Sequence, residues 1–216
     1  MNKKIEIAVQ RLNQVLPLKK KQEQCNSKIK TLHQHILSSF VTRGRILTKP
    51  EMSEYVDSIE DALKILSEKE LVVLTDDGIP LGAYPFIMEN RETKIQVNGF
   101  QINVMCALDA LAVSFMYDVR TQINSHCRIT GQAICIKQSG MHILNHSEAD
   151  KICVCIDWSA IEKDVKCADS LCMEMFFVFD YKAAISWCNV EAKQREVFKI
   201  EDALEFSKQF FVPLTD

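Results

Sequence analysis

The apolar positions of the first half of the chain recur at three- and four-residue intervals. Ile5, Ala8, Val9, Leu12, Val15 and Leu16 fall at helical spacing, and Pro17 closes that run. Lys19, Lys20 and Lys21 then read as a solvated loop. Ile29, Leu32, Ile36, Leu37 and Phe40 mark a second helix, with Gly44 just past its end. Thr48-Lys49-Pro50-Glu51 has the form of a capping box. Ser58-Ile59-Glu60-Asp61 opens a further helix carrying Ala62, Leu63, Ile65 and Leu66. The pattern then shortens. Residues 71–74, the turn Asp76-Asp77-Gly78 and residues 81–88 predict a strand hairpin. Two short helices followed by a hairpin predict a winged-helix-like unit.

From residue 94 onward the period changes repeatedly. Residues 94–97, the turn Asn98-Gly99 and residues 100–104 predict a second hairpin. An apolar run with helical character follows it, and Ser125 to Gly131 reads as a polar turn. Residues 133–136 and 152–156 predict strands. Residues 171–179 predict the clearest strand, with Cys172 and Glu174 on one face and Met173 and Met175 on the other. A helix over 180–188, a short extended piece at 197–200 and a last helix around Ala203, Leu204, Phe206 and Phe210 complete the chain. The expected fold class is α+β. A helical, winged-helix-like domain covers residues 1–92, and a mixed α/β catalytic domain with a small β-sheet covers residues 93–216.

Composition narrows the function classes. A hydrophobic fraction of 47% can build a core, and a net charge of −3 gives no global attraction to nucleic acid. The helix after Ser58 carries Glu60, Asp61, Glu68 and Glu70 against Lys64 and Lys69, and the hairpin tip carries Asp76 and Asp77. Phosphate binding needs the opposite sign, so the winged-helix unit is expected to be a structural cap, with nucleic acid not a partner. No apolar run approaches the roughly 18 residues of a membrane span, and no membrane association is expected. The N-terminus does not read as a signal peptide. The nine cysteines are therefore expected as thiols in a reducing cytoplasm. There is no CxxC pair. Cys153-Val154-Cys155 is set aside as a chelating pair on the expectation that its two side chains leave a strand on opposite faces.

The stretch Met105-Cys106-Ala107-Leu108-Asp109-Ala110-Leu111 carries the candidate chemistry. Asp109 is the only charged residue between Lys94 and Asp118. On a buried helix Cys106 and Asp109 would share one face. A carboxylate there is costly unless paired or protonated, and desolvation should raise its pKa toward that of a group able to hold and deliver a proton.

Three motifs bring a family into view. Cys-Ala-Leu-Asp at 106–109, Ser-His-Cys-x-x-Thr-Gly at 125–131 and Ser170-Leu171-Cys172 ahead of Phe176-Phe177 resemble the organomercurial (alkylmercury) lyases in order and separation. The resemblance covers most of the chain after Ile29. It implies that Cys106, Asp109 and Cys172 break a carbon–mercury bond and hold the metal, and that Cys127 is structural. Met105 stands where familiar members carry an aromatic residue, and Met173 and Glu174 follow the second cysteine where Cys or His and aromatics are usual. These departures bear on substrate range.

The chemistry fits the residue types. Mercury is soft and thiolates are its best protein ligands. A second sulfur on the metal pushes electron density onto the carbon, which a nearby acid can then protonate. The expected function is protonolytic cleavage of alkyl- or arylmercury to a hydrocarbon and Hg(II). No cofactor is expected beyond Hg(II) bound as product; reduced external thiols are expected for turnover, and a mercuric reductase is the expected recipient of the metal. Two alternatives stand beside this: a thiol-rich soft-metal-binding or sensing protein with a winged-helix module, and a relative with the lyase fold but an altered substrate. Glu174, as a neighbour of Cys172, is a candidate extra oxygen ligand. Tyr84, Phe86 and Phe100 are candidates to line an apolar pocket.

Overall fold

In the computed structural model, which describes residues 2–215, helices α1 (Lys3–Val15), α2 (Leu18–Glu23), α3 (Ser27–Arg43), α4 (Lys49–Met52) and α5 (Ile59–Glu68) come first. Strands β1 (Val73–Leu74), β2 (Pro80–Ala83), β3 (Phe86–Ile87), β4 (Lys94–Val97) and β5 (Phe100–Val104) lead to helix α6 (Ala107–Met116). Then come β6 (Arg120–His126), β7 (Ala133–Ser139), β8 (His142–Ile143), α7 (His146–Ala149), β9 (Ile152–Asp157), β10 (Met175–Phe179), α8 (Tyr181–Val190), β11 (Arg195–Lys199) and α9 (Ile200–Phe211).

The fold is α+β. One antiparallel sheet of eight strands runs in the order β1-β2-β3-β5-β4-β6-β7-β8, and a second of three runs β10-β9-β11. The expectation of a small sheet is corrected here. The short strands β1, β2 and β3 hydrogen-bond onward through Phe86–Val104 and Ile87–Asn103 pairing, so the early hairpin extends the large sheet. A continuous hydrophobic cluster joins residues of the helical part, such as Phe40 and Leu66, to residues of both sheets, such as Ile123 and Phe177.

Local chemistry explains most boundaries. Asn26 caps α3 by accepting from the Ile29 N–H, and Gly44 ends it in the left-handed conformation with φ 69°. The Thr48 N–H and hydroxyl both donate to Glu51 at the start of α4. Asn98 (φ 49°) and Gly99 (φ 85°) form the tight turn between β4 and β5. Three other readings are corrected. Lys19 to Lys21 lie in α2 and not in a loop, and Lys21 pairs with Glu70 at 2.6 Å. Ser125 and His126 end strand β6 instead of forming a turn. Residues 171–174 form a 3-10 turn (Leu171–Glu174), and the strand begins only at Met175. The alternation there is real, but Ser170 (φ −129°, ψ −96°) breaks the extended backbone just before it.

The reading of Cys153 and Cys155 is also corrected. Residues two apart on a strand lie on the same face, and both sit on β9. Burial raises the Cys155 thiol well above its usual range, and Cys153 is the next contributor.

Candidate functional site

Cys106 is placed by the end of the large sheet. Strand β5 delivers Met105, whose N–H donates to the Pro85 carbonyl at 3.1 Å. Cys106 then acts as the N-cap of α6, its Sγ accepting from the Asp109 N–H at 3.4 Å. It is therefore the residue before the helix, with Asp109 in the first turn. On the other side, Cys172 comes from the 3-10 turn between Ser170 and β10. These elements bring the expected trio together: the Cys106 Sγ, the Cys172 Sγ and an Asp109 carboxylate oxygen lie within 4.8 Å of one another. All three are buried, at 4%, 4% and 1% exposure.

The electrostatics follow from that burial. Neither Asp109 oxygen has a hydrogen-bond partner within bonding geometry. Desolvation raises its pKa to about 7, tempered by the nearby Cys106 thiol and its sulfur cap. A helix N-terminus favours an anion, but here the lost hydration outweighs it. Burial likewise pushes the Cys106 thiol up to about 12, with Cys172 lowering it and Asp109 raising it. Contacts with Cys106 and Cys167, then burial, hold Cys172 well above the ordinary thiol range. The Tyr84 hydroxyl is buried without a partner and stays protonated, through burial first and then the proximity of Cys172 and Cys167. The pocket is buried and rich in sulfur, with its thiols held in the protonated form.

Its mouth is narrow. A cavity of about 40 Å³ is lined by Met105, Cys106, Cys172, Met175 and Phe176 inside and by Arg91, Arg128 and Met173 at the rim. Arg128 donates to the Met173 carbonyl at 2.6 Å, pairs with Glu174 at 3.2 Å and Glu92 at 3.1 Å, and lies 4.2 Å over the Phe176 ring. Arg91 contacts the Met173 sulfur and pairs with Glu89 and Asp169. A roomier hollow of about 390 Å³ lies between α5 and the β1–β2 turn. Its walls mix Lys49, Lys64, Glu60, Glu68 and Asp77 and contain no thiol, so it offers nothing for a soft metal.

Other singled-out residues sort clearly. Glu174 does not share a strand face with Cys172; its half-exposed carboxylate is engaged by Arg128. Phe86 stacks on Phe40 at 4.9 Å, and Phe100 packs against Gly44, so neither lines the cavity. Burial raises the Cys127 thiol, but the Thr130 hydroxyl and backbone groups at Phe179, Thr130 and Ile129 outweigh it and hold the thiol below its usual value. The turn it anchors is closed by Cys127 N–H to the Gln132 carbonyl and Gly131 N–H to the Cys127 carbonyl, each at 2.8 Å. That turn sets Arg128 over the pocket. Sequence reasoning missed Arg91, Arg128, Met175 and Cys167. Met175 lies 3.8 Å from the Cys106 sulfur, and Cys167 lies 3.6 Å from Cys172. The five-residue spacing of Cys167 and Cys172 carries no regular period, so only the 3-10 turns between them reveal the contact.

The family model described as alkylmercury lyase (MerB) matches residues 88–212, a span that contains Cys106, Asp109 and Cys172. Among solved structures, the mercury-bound form of MerB2 matches with a TM-score of 0.72 at 19% identity, over 91% of this chain and 98% of that one. No curated protein matches in a sequence search.

Proposed function

The chain belongs to the alkylmercury lyase family, whose model matches it over residues 88–212, and we propose that Cys106, Cys172 and Asp109 carry the reaction. The protein is an organomercurial lyase: it cleaves a carbon–mercury bond to leave a hydrocarbon and Hg(II). The observation that carries the residue assignment is the buried convergence of two sulfurs and a partnerless carboxylate within 4.8 Å.

The roles follow from the protonation states. The Cys106 sulfur attacks R–Hg–X, and X leaves with the thiol proton. A thiol bound to a metal loses its proton outright, so the raised thiol pKa does not block this step. The Cys172 sulfur then bonds to the mercury, and its proton passes to the Asp109 carboxylate. Asp109 returns that proton to the carbon as the carbon–mercury bond breaks. The net change is RHgX + 2 Cys–SH → RH + Hg(S–Cys)₂ + HX, with no electrons gained or lost. A pKa near 7 suits a group that must accept and then donate a proton near neutral pH. The cavity at the site is small, about 40 Å³, which favours a small organic group such as methyl; an aryl ring needs the Arg91–Met173–Arg128 rim to move.

Further parts of this reading rest on the same chemistry. Two buried thiols hold Hg(II) tightly, so turnover needs external reduced thiols to compete it away, and a mercuric reductase is the natural recipient. Nine free cysteines support a reducing, cytoplasmic setting. No helix among the described residues is long and apolar enough to cross a membrane. Residues 1–92 are read as a winged-helix-like cap: α3 and α5 followed by the β1–β2 hairpin support this, and the acidic first turn of α5 (Glu60, Asp61) argues against a nucleic-acid role.

Purified protein mixed with methylmercury or phenylmercury, with excess thiol, should release methane or benzene. If neither appears while Cys106 and Cys172 are reduced, the assignment fails.

A further inference from the structure

Cys172 has two thiol neighbours, and the reaction above uses only one. Its sulfur lies within the mutually close set with Cys106 and Asp109, and 3.6 Å from the Cys167 sulfur on its other flank. Cys167 falls outside the close set, so it neighbours Cys172 and not the whole trio. Both partners are buried, at 3% and 4% exposure, and both are free thiols. Two sulfurs sharing a metal with bonds near 2.3 Å sit ~3.8 Å apart at a tetrahedral angle and ~4.6 Å apart in a line. The observed separation thus needs little opening to admit a shared ion.

Polar groups border this second pair. The Tyr84 hydroxyl, buried and partnerless, lies among the same thiols. The Cys167 N–H donates to Glu70 at 3.4 Å, and Glu70 is held by Lys21 at 2.6 Å. Cys167 is therefore tied to the helical part of the molecule, whereas Cys106 belongs to the end of the large sheet.

We propose that Cys167 is a receiving thiol: after cleavage, Hg(II) passes from the Cys106–Cys172 pair to a Cys172–Cys167 pair. The Cys167 sulfur–mercury bond forms, the Cys106 sulfur–mercury bond breaks, and the Cys167 proton ends on Cys106. No electrons are exchanged. The step restores Cys106 as a thiol and leaves the metal shared by Cys172 and Cys167. The proposal rests on the lyase site described above.

The test loads the full-length protein with one equivalent of HgCl₂, with no turnover required. Bound mercury is then measured against rising glutathione, alongside the near-ultraviolet sulfur-to-mercury absorption. Wild type is compared with Cys167→Ser, Cys167→Ala and the control Cys135→Ser, each checked for folding by circular dichroism. Cys167→Ser and Cys167→Ala should release mercury at roughly tenfold lower glutathione, since loss of even an outer-shell partner costs ~10–100-fold in metal affinity. Cys135→Ser should match wild type. Equal retention in wild type and both Cys167 variants overturns the proposal, as does an equal loss in Cys135→Ser. Having two replacements of different polarity keeps the result readable if one does not fold. Hydrocarbon release by wild type is assayed separately. Its absence defeats the lyase site, whereas equal mercury retention defeats only the role of Cys167.

Discussion

His33 and Asp109 are buried to the same degree, each at 1% exposure, yet their surroundings are opposite. The His33 ring uses both nitrogens: Nδ1 meets the Gln22 amide at 3.0 Å and Nε2 meets the Leu71 carbonyl at 3.1 Å. Gln22 also donates to the Leu214 carbonyl at 3.0 Å. The knot ties α2, α3, the approach to β1 and the C-terminal turn together. Burial lowers the His33 pKa to about 4, so the ring is neutral at working pH and fully paired. Asp109 has no partner for either oxygen, and burial raises it to about 7. A paired buried ring holds a fold together, whereas a buried carboxylate without partners can hold and deliver a proton. Gln22 Oε1 and the Tyr117 hydroxyl are also buried without a partner, so what marks Asp109 is a carboxylate without partners beside two thiols.

The largest effects should fall on the sulfur side of the reactive centre. Cys106→Ser and Cys172→Ser should each reduce hydrocarbon release from methylmercury to the uncatalysed background, measured by headspace gas analysis, because a hydroxyl is a poor ligand for a soft metal. Activity persisting in either would place the reaction elsewhere. Asp109→Asn should cost ~10²–10⁴-fold in rate, the usual range for a lost general acid, while leaving Hg(II) binding by the thiols measurable.

The same comparison predicts opposite pH signatures in stability. The folded pKa of Asp109 lies above its unfolded value of 3.8, so its contribution is full below about 3.8 and is lost as pH rises through about 7. The span is ~4 kcal/mol at most, from about 1.4 kcal/mol per pKa unit. The folded pKa of His33 lies below 6.5, so its contribution is full above about 6.5 and is lost as pH falls toward about 4. That span is ~3 kcal/mol. The two windows overlap and oppose each other, so their joint effect on the wild-type curve between pH 4 and 6.5 is nearly flat. Urea unfolding across that range should show Asp109→Asn gaining stability as pH rises. His33→Leu should lose stability as pH rises, and should cost ~1–3 kcal/mol at pH 7 for the unpaired Leu71 carbonyl. Parallel curves in the two variants would dissolve the contrast.

Much of the candidate site was legible in the chain: the three residues singled out there do lie together. Asp109 is a lone charge in an apolar run, and its isolation in sequence is the same fact as its missing partners in space. Helix starts at Thr48 and Ser58 follow local rules, so they read correctly. The second sulfur was found by motif, but its setting was misjudged, because Ser170 turns the backbone where the alternation of 171–179 continues. Cys167 and the two arginines were not legible, since their contacts depend on how separate segments meet. The breadth of the large sheet was missed for the same reason: strands were expected at 71–74 and 81–88, but not the pairing that carries them on to β5.

Glu174 provides the weakest and most discriminating perturbation, because its place in sequence makes it the candidate extra ligand beside Cys172. It follows Cys172 by two residues, yet Arg128 binds it at 3.2 Å, with the two side chains 33% and 42% exposed. An ion pair that open to water is worth ~0–1 kcal/mol. Arg128 keeps its bonds to Glu92 and the Met173 carbonyl and its place over Phe176 without it. Glu174→Gln should therefore shift the urea midpoint by little and change hydrocarbon release less than about twofold, since the surviving contacts hold the rim. A loss approaching that of Asp109→Asn would mean that the Glu174 carboxylate leaves Arg128 to meet the metal. In that case satisfaction by a surface partner would no longer distinguish structural acids from reactive ones.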